Sequence, residues 1–144
     1  YIQILTGNGV DAVTLANNHS LDYAQDGYEE TKRILDEAGI SFAEHTGSVT
    51  VTTENGLKIG MYGAVYYLLD TDMITAGIAS LAEQGCDLVI VALHWGREVQ
   101  NIPQSWQFSY ARQVVDAGAD VITLGNHSFN KQYAIKNNLF FISY

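Results

Sequence analysis

Apolar and polar positions divide the chain into alternating strand-like and helix-like segments. The continuous apolar runs at residues 86–93 and 120–124 are typical of strands buried on both faces of a sheet. The run at residues 11–16 has the same character. Between these runs, apolar residues recur at helical spacing. Helices are therefore predicted at residues 2–8 (the end of a helix), from the N-cap Asp26 to Gly39, over residues 72–84, and from Pro103 to Ala117.

Shorter segments complete the predicted sheet. Alternation with period two over residues 49–53, followed by Asn55 and Gly56, predicts a hairpin whose return strand covers residues 57–65. The remaining predicted strands are residues 40–43 and a terminal hairpin made of residues 132–135 and 139–144. The order is β-α-β, a hairpin, then β-α-β, which predicts an α/β fold with a mostly parallel sheet, flanking helices and antiparallel hairpins.

One pattern occurs three times in the chain. A Gly-x-Asp sequence opens an apolar strand, and a histidine stands at or just after the strand's carboxyl end: His19, His94 and His127. Open α/β sheets bind ligands outside the carboxyl ends of their strands. The pattern therefore predicts one site to which all three imidazoles belong. His45 lacks this pattern and is assigned to an ordinary loop.

Amide and carboxylate side chains accompany these histidines, as at Asn18, Asp22 and Glu98. Such a mixed nitrogen and oxygen donor set suits Mn²⁺, Fe²⁺ or Zn²⁺ better than Ca²⁺. Two such ions about 3.5–4 Å apart could activate a water and hold a phosphoryl group. The alternative is structural: the histidines are hydrogen-bonded strand ends, Asn17 and Asn18 cap a turn, Asp22 fixes the loop, and Glu98 is a solvated charge.

Composition excludes several other functions. The 144 residues carry a net charge of −9, which argues against a nucleic-acid partner because phosphates require a basic surface. The single Cys86 excludes an internal disulfide framework, and it is assigned to a buried, inert thiol. No apolar run is long enough to span a membrane. The sequence lacks a Gly-rich phosphate loop and a Gly-x-Ser-x-Gly elbow.

Two segments make the sequence resemble a known family. They are Ala-Asn-Asn-His-Ser-Leu-Asp-Tyr at residues 16–23 and Leu-His-Trp-Gly-Arg-Glu at residues 93–98, supported by Gly-Ala-Asp at residues 118–120. Together they resemble the CapA family of bacterial proteins linked to poly-γ-glutamate capsule synthesis, within the calcineurin-like metallophosphoesterase superfamily. The resemblance covers nearly the whole chain, and Pro103 and Gln107 also fit it. It implies an incomplete four-layer α/β/β/α domain over residues 1–144.

The resemblance also implies roles for individual residues. Asn18, His94 and His127 would hold divalent metal, with two ions in the full-length protein. His19 would protonate the leaving group, and Asp22 would orient it. The residues expected to contact substrate or to support the ligands are Asn17, Trp95, Glu98 and Asn126.

Two departures from the family pattern affect these expectations. Phe129 stands where the family usually has a second histidine after His127, and the amino-terminal segment with the first metal-binding aspartate is absent. The chain by itself is therefore expected to bind metal weakly and to be nearly inactive. The expected function is a metal-dependent phosphoesterase-like hydrolase of capsule or envelope polymer synthesis. The alternative is a non-catalytic scaffold subunit of the polymer synthase. In either case, the family association implies a membrane-associated, extracytoplasmic parent protein that works with the polymer synthesis machinery.

Overall fold

The computed structural model describes residues 1–65, 70–96, 103–124 and 141–143 of the chain. Helices and strands alternate through most of these residues, as the sequence predicts. In chain order the elements are α1 (Ile2–Thr6), β1 (Ala12–Thr14), α2 (Ala24–Glu37), β2 (Ser41–Ala43), β3 (Ser48–Thr52), β4 (Lys58–Val65), α3 (Thr71–Glu83), β5 (Leu88–His94), α4 (Ser105–Asp116), β6 (Val121–Leu124) and β7 (Phe141–Ser143).

The strands form two sheets. A five-stranded sheet has the order β3-β4-β5-β6-β7, and β1 pairs with β2 in a separate two-stranded sheet. Within the described part of the chain, every neighbouring pair is parallel except the β3–β4 hairpin. That hairpin turns at Asn55 and Gly56, where Thr53 N–H donates to the Leu57 carbonyl at 2.9 Å. The predicted α/β class with a mostly parallel sheet is thereby confirmed.

The main core lies where α3 and α4 cover the five-stranded sheet. Ile74, Ile78 and Leu81 form the buried face of α3, at the helical spacing that the sequence shows. They pack in one cluster with strand residues such as Val91 and with Val114 of α4. Consecutive residues of β5 from Val91 to His94 are buried, so both faces of the strand are covered there, as its continuous apolar sequence predicts.

Strand β1 departs from the expectation of a buried strand. Ala12 and Val13 are only half-buried, and Thr14 is exposed. The reason is position: among the described strands β1 pairs only with β2, so the five-stranded sheet does not enclose it. Its apolar sequence is therefore not a sign of burial on both faces.

Helix boundaries differ from prediction by a few residues. Helix α2 begins at Ala24, with Tyr23 as its N-cap, so Asp26 lies in the first turn and does not cap the helix. Helix α4 begins at Ser105 after the N-cap Gln104, two residues later than Pro103. Strand β7 pairs in parallel with β6. The first strand of the predicted terminal hairpin, residues 132–135, lies outside the described residues, so that hairpin stays a prediction.

The two sheets meet where β4 passes the carboxyl ends of β1 and β2. Gly63 of β4 donates its N–H to the Gly47 carbonyl at 2.9 Å. A Cβ at Gly63 would lie 2.4 Å from the Glu44 carbonyl oxygen and 3.0 Å from the Ala16 Cβ. Only glycine permits this close backbone approach. As a result, the loop after β1 is held beside the carboxyl end of the main sheet.

The phenol of Tyr110 gives this core a testable dependence on pH. Burial, reinforced by the charge of Asp70, raises the pKa of Tyr110 to about 12, from a usual value of 10.0. The neutral phenol therefore stabilises the fold below pH 10, and that contribution is lost as the pH rises toward 12. We expect urea unfolding to show a steeper loss of stability above about pH 10 for the wild type than for Tyr110→Phe. The control Tyr23→Phe, at a residue 88% exposed, should follow the wild type; identical slopes for wild type and Tyr110→Phe would contradict the prediction.

Candidate functional site

The loop after β1 is shaped by its own polar groups. The Asn17 side-chain oxygen accepts a hydrogen bond from the His19 N–H at 2.8 Å, which is an Asx turn. The Ser20 hydroxyl lies within hydrogen-bonding reach of the Leu15 carbonyl and of the Asn17 carbonyl, the latter at 2.8 Å. Asn17 therefore caps the turn, one of the two roles that the sequence left open for it, and thereby presents its neighbours Asn18 and His19.

Asn18 and His94 come together from opposite parts of the chain. The Asn18 Oδ1 lies 2.8 Å from the His94 Nε2, although 76 residues separate them. His94 is the last residue of β5, pairs with Val65 of β4, and is 8% exposed. An amide oxygen can only accept a hydrogen bond, so the His94 Nε2–H is the donor. Two of the residues predicted to bind metal, Asn18 and His94, are therefore in contact.

The contact is a hydrogen bond, and its length can be compared with the spacing of two ligands on one metal ion. Ligands at 2.0–2.1 Å from an octahedral metal lie about 3 Å apart, close to the observed 2.8 Å. Binding would displace the proton that Nε2 now donates. Within the described ranges, however, no group of three or more His, Cys, Asp or Glu residues could hold a metal. The other predicted ligand, His127, and its neighbour Asn126 lie outside the described residues.

His19 and Asp22 form an exposed dyad beside this pair. The His19 Nδ1 lies 2.9 Å from the Asp22 Oδ2, and the two side chains are 68% and 55% exposed. The carboxylate accepts from Nδ1–H, which fixes the tautomer and assigns Nε2 to proton transfer. Such a pair can deliver a proton to a leaving oxygen. The predicted roles of His19 and Asp22 are chemically consistent with this contact, and they stay predictions.

Trp95 and Glu98 were expected to contact substrate or to support the ligands. Trp95 is 0% exposed, and its ring packs edge-to-face against Trp106 and Tyr110 of α4, each with 5.6 Å between ring centroids. Trp95 is therefore part of the core directly behind His94, and it does not line an open surface. Glu98 lies outside the described residues.

His45 lies in the turn after β2, as expected for a loop residue, and its imidazole makes specific contacts there. Its Nε2 lies 3.2 Å from the Asn17 carbonyl oxygen and 3.1 Å from the Ser20 Oγ. Its ring stacks on Tyr28 with 5.4 Å between centroids. A signal was present in the sequence: His45 also follows a strand, and parallel strands β1 and β2 bring their following loops to the same edge.

The fold and these contacts indicate the structural class of the protein. This is an α/β domain whose polar side chains meet at the carboxyl ends of strands from two sheets, consistent with part of a metallophosphoesterase-like fold. Comparison with family models narrows the class: the model of the bacterial capsule synthesis protein PGA_cap matches residues 1–133. The chain belongs to this family.

Two curated relatives agree with that assignment. The capsule biosynthesis protein CapA of Bacillus anthracis is 28% identical over 149 aligned positions, which cover 83% of this chain and 34% of that protein. The PGA biosynthesis protein CapA of Bacillus subtilis (strain 168) is 29% identical over 153 positions, or 88% of this chain and 38% of that protein. The chain thus spans little more than a third of the curated relatives it matches. Among the described residues, no helix has the length and apolar character needed to cross a bilayer.

Proposed function

We propose that this chain is part of a metal-dependent phosphoesterase-like hydrolase of capsule or other cell-envelope polymer biosynthesis. The single observation that carries the proposal is the 2.8 Å contact between the Asn18 Oδ1 and the His94 Nε2. It joins the amide and the imidazole that the sequence assigned to one metal site. The relatives' names associate the family with capsule and PGA biosynthesis, which supports the polymer context.

Each described residue of the proposed site has a separate task. Asn18 and His94 would hold a divalent ion (Mn²⁺, Fe²⁺ or Zn²⁺), with His127 as the proposed third ligand. A divalent ion there would act as a Lewis acid on a phosphoryl oxygen. His19 would give its Nε2 proton to the leaving oxygen, while Asp22 stabilises the resulting tautomer through Nδ1.

The charge of the chain is compatible with this assignment. A net charge of −9 repels an anionic substrate such as a phosphoester, so a bound cation is needed to bring the two together. The proposed partners are components of the capsule or envelope polymer synthesis machinery. The proposed location of the whole protein is extracytoplasmic and membrane-associated, and it rests on the family association only.

The dyad gives the sharpest test of a catalytic role. We expect His19→Gln, made in the natural protein that contains this chain, to lower kcat for bis(p-nitrophenyl) phosphate by roughly 10²–10⁴-fold, the usual contribution of general acid catalysis. Mn²⁺ affinity, measured by calorimetry, should stay unchanged because His19 is not a proposed ligand. Asp22→Asn should cause a smaller loss of kcat, since it disturbs only the tautomer.

Substitutions at the histidines also distinguish the hydrolase from the alternative, a non-catalytic scaffold. Unchanged hydrolysis after alanine substitution at both His19 and His94 would exclude the hydrolase mechanism. The alternative is a non-catalytic scaffold in a polymer synthase, which the presence of Phe129 in place of a second histidine favours. A histidine-free variant that still captures synthase partners in a pull-down would support the scaffold, and one that fails to capture them would count against it.

A further inference from the structure

We infer that His45 is a positioning residue that sets the direction of the Asn18 side chain toward His94. This inference deepens the proposed function, since it concerns the same site, but the contacts that carry it are independent of any reaction. They lie at the carboxyl end of β2. The inferred action of His45 runs through the backbone of Asn17.

The carbonyl of Asn17 is the point at which the loop is anchored. Three polar groups lie close to this one oxygen: the Ser20 N–H at 3.4 Å, the Ser20 hydroxyl at 2.8 Å and the His45 Nε2 at 3.2 Å. A carbonyl oxygen can only accept, so the tautomer with its proton on Nε2 donates to it, and the same Nε2 lies 3.1 Å from the Ser20 Oγ. Of the three groups, the imidazole is the one that comes from another part of the chain.

Anchoring this carbonyl fixes the residue that follows it. The Asn17 carbonyl and the Asn18 N–H belong to one planar peptide unit. When the carbonyl is held, the N and Cα atoms of Asn18 are held as well, which narrows the directions open to its side chain. On this inference, the His45 hydrogen bond supports the 2.8 Å contact between the Asn18 Oδ1 and the His94 Nε2.

The imidazole of His45 is itself held in place by residues of helix α2. Its ring stacks on Tyr28 of α2 at an interplanar angle of 12°, and Tyr28 is 5% exposed. The Tyr28 hydroxyl donates to the Glu44 Oε2 at 3.1 Å, and Lys32 donates to the same oxygen at 3.2 Å. Hydrogen bonds with Glu29 and then Glu44 raise the pKa of Lys32, so its ammonium group stays charged. Through these contacts, helix α2 supports the His45 ring and the loop that it contacts.

Two variants separate the hydrogen bond from the ring stack. His45→Phe keeps a ring on Tyr28 but removes the donor, whereas His45→Gln keeps an N–H at the place of Nε2 and removes the ring. In the natural protein, His45→Phe should weaken Mn²⁺ binding by about 10–100-fold, the range found for groups that orient ligands. His45→Gln should rescue it. The melting temperature of both variants should stay close to that of the wild type.

Hydrogen exchange makes the test independent of the proposed function. The backbone amides of His19 and Ser20 should exchange faster in His45→Phe than in the wild type, and at the wild-type rate in His45→Gln. If the wild type neither binds Mn²⁺ nor hydrolyses a phosphoester, the proposed function fails while the exchange result still decides the role of His45. Wild-type exchange in His45→Phe would overturn the inference. Should His45→Phe fail to fold, His45→Leu removes the donor with another side chain, and wild-type exchange at Ser20 in that variant would overturn the inference equally.

Discussion

Replacing His94 with alanine should abolish saturable Mn²⁺ binding in the natural protein that contains this chain. We expect the affinity to fall by more than about 100-fold, because removing groups that only support a ligand already costs 10–100-fold. The substitution deletes the Nε2 that lies 2.8 Å from the Asn18 Oδ1, so one of the two described donors is lost. Calorimetric titration with Mn²⁺ measures the effect directly, and hydrolysis of a phosphodiester should fall with it.

A control variant must distinguish the loss of a metal-binding side chain from a loss of fold stability. Val91 stands three residues earlier on the same strand and is 0% exposed, so Val91→Ala should lower the free energy of unfolding by about 1–3 kcal/mol through lost burial and a cavity. It should leave Mn²⁺ affinity unchanged. Asn18→Ala should weaken binding as His94→Ala does, and the double variant should lose little more, because both changes disable one site. Equal Mn²⁺ affinity in wild type and His94→Ala would exclude His94 as a ligand.

The contact that carries this prediction was anticipated from the sequence, but on a premise that holds only in part. The carboxyl ends of parallel strands collect at one edge of a sheet, so Asn18 and His94 were expected together in one sheet. In the structure β1 and β5 belong to different sheets, and the contact forms where the two sheets meet. Distances between side chains could not be anticipated, because they depend on how the two sheets meet at Gly63. The same rule applied to β2 would have found His45, but its strand is short and lacks the Gly-x-Asp opening shared by the other three.

Burial was harder to predict than strand position. The apolar sequence of β1 suggested enclosure on both faces, yet its place in a two-stranded sheet leaves Thr14 exposed. Trp95 was expected to contact substrate or to support the ligands because it follows His94, but it lies just beyond the end of β5 and is fully buried. The ring accordingly lies among the aromatics of α4. Neither outcome can be deduced from spacing along the chain, since both depend on which element covers which face.

Substituting Gly77 with alanine should destabilise the fold, although the same change usually stabilises a helix. Glycine in a helix interior costs roughly 0.5–1 kcal/mol relative to alanine. Here the added Cβ would lie 2.2 Å from the Cε2 and 2.4 Å from the Cδ2 of Tyr62, and this tyrosine is only 3% exposed. Neither the ring nor α3 can move without opening the core. We expect the free energy of unfolding to fall by about 1–3 kcal/mol, as for other overpacked cores, measured by urea denaturation.

Two further variants show whether contact with the Tyr62 ring causes the expected destabilisation. Ala76→Gly, at the exposed neighbouring position of α3, measures the helix-propensity difference without the contact and should cost about 1 kcal/mol. In a Tyr62→Ala background, Gly77→Ala should become neutral or stabilising, which gives a coupling energy within the 0.5–3 kcal/mol range of contacting residues. A stabilising Gly77→Ala in the wild-type background would contradict the packing of α3 on β4. Because Gly77 lies on the helix side of the sheet, its alanine variant should keep the Mn²⁺ affinity that His94→Ala loses, so the two substitutions separate the stability of the fold from the function of the site.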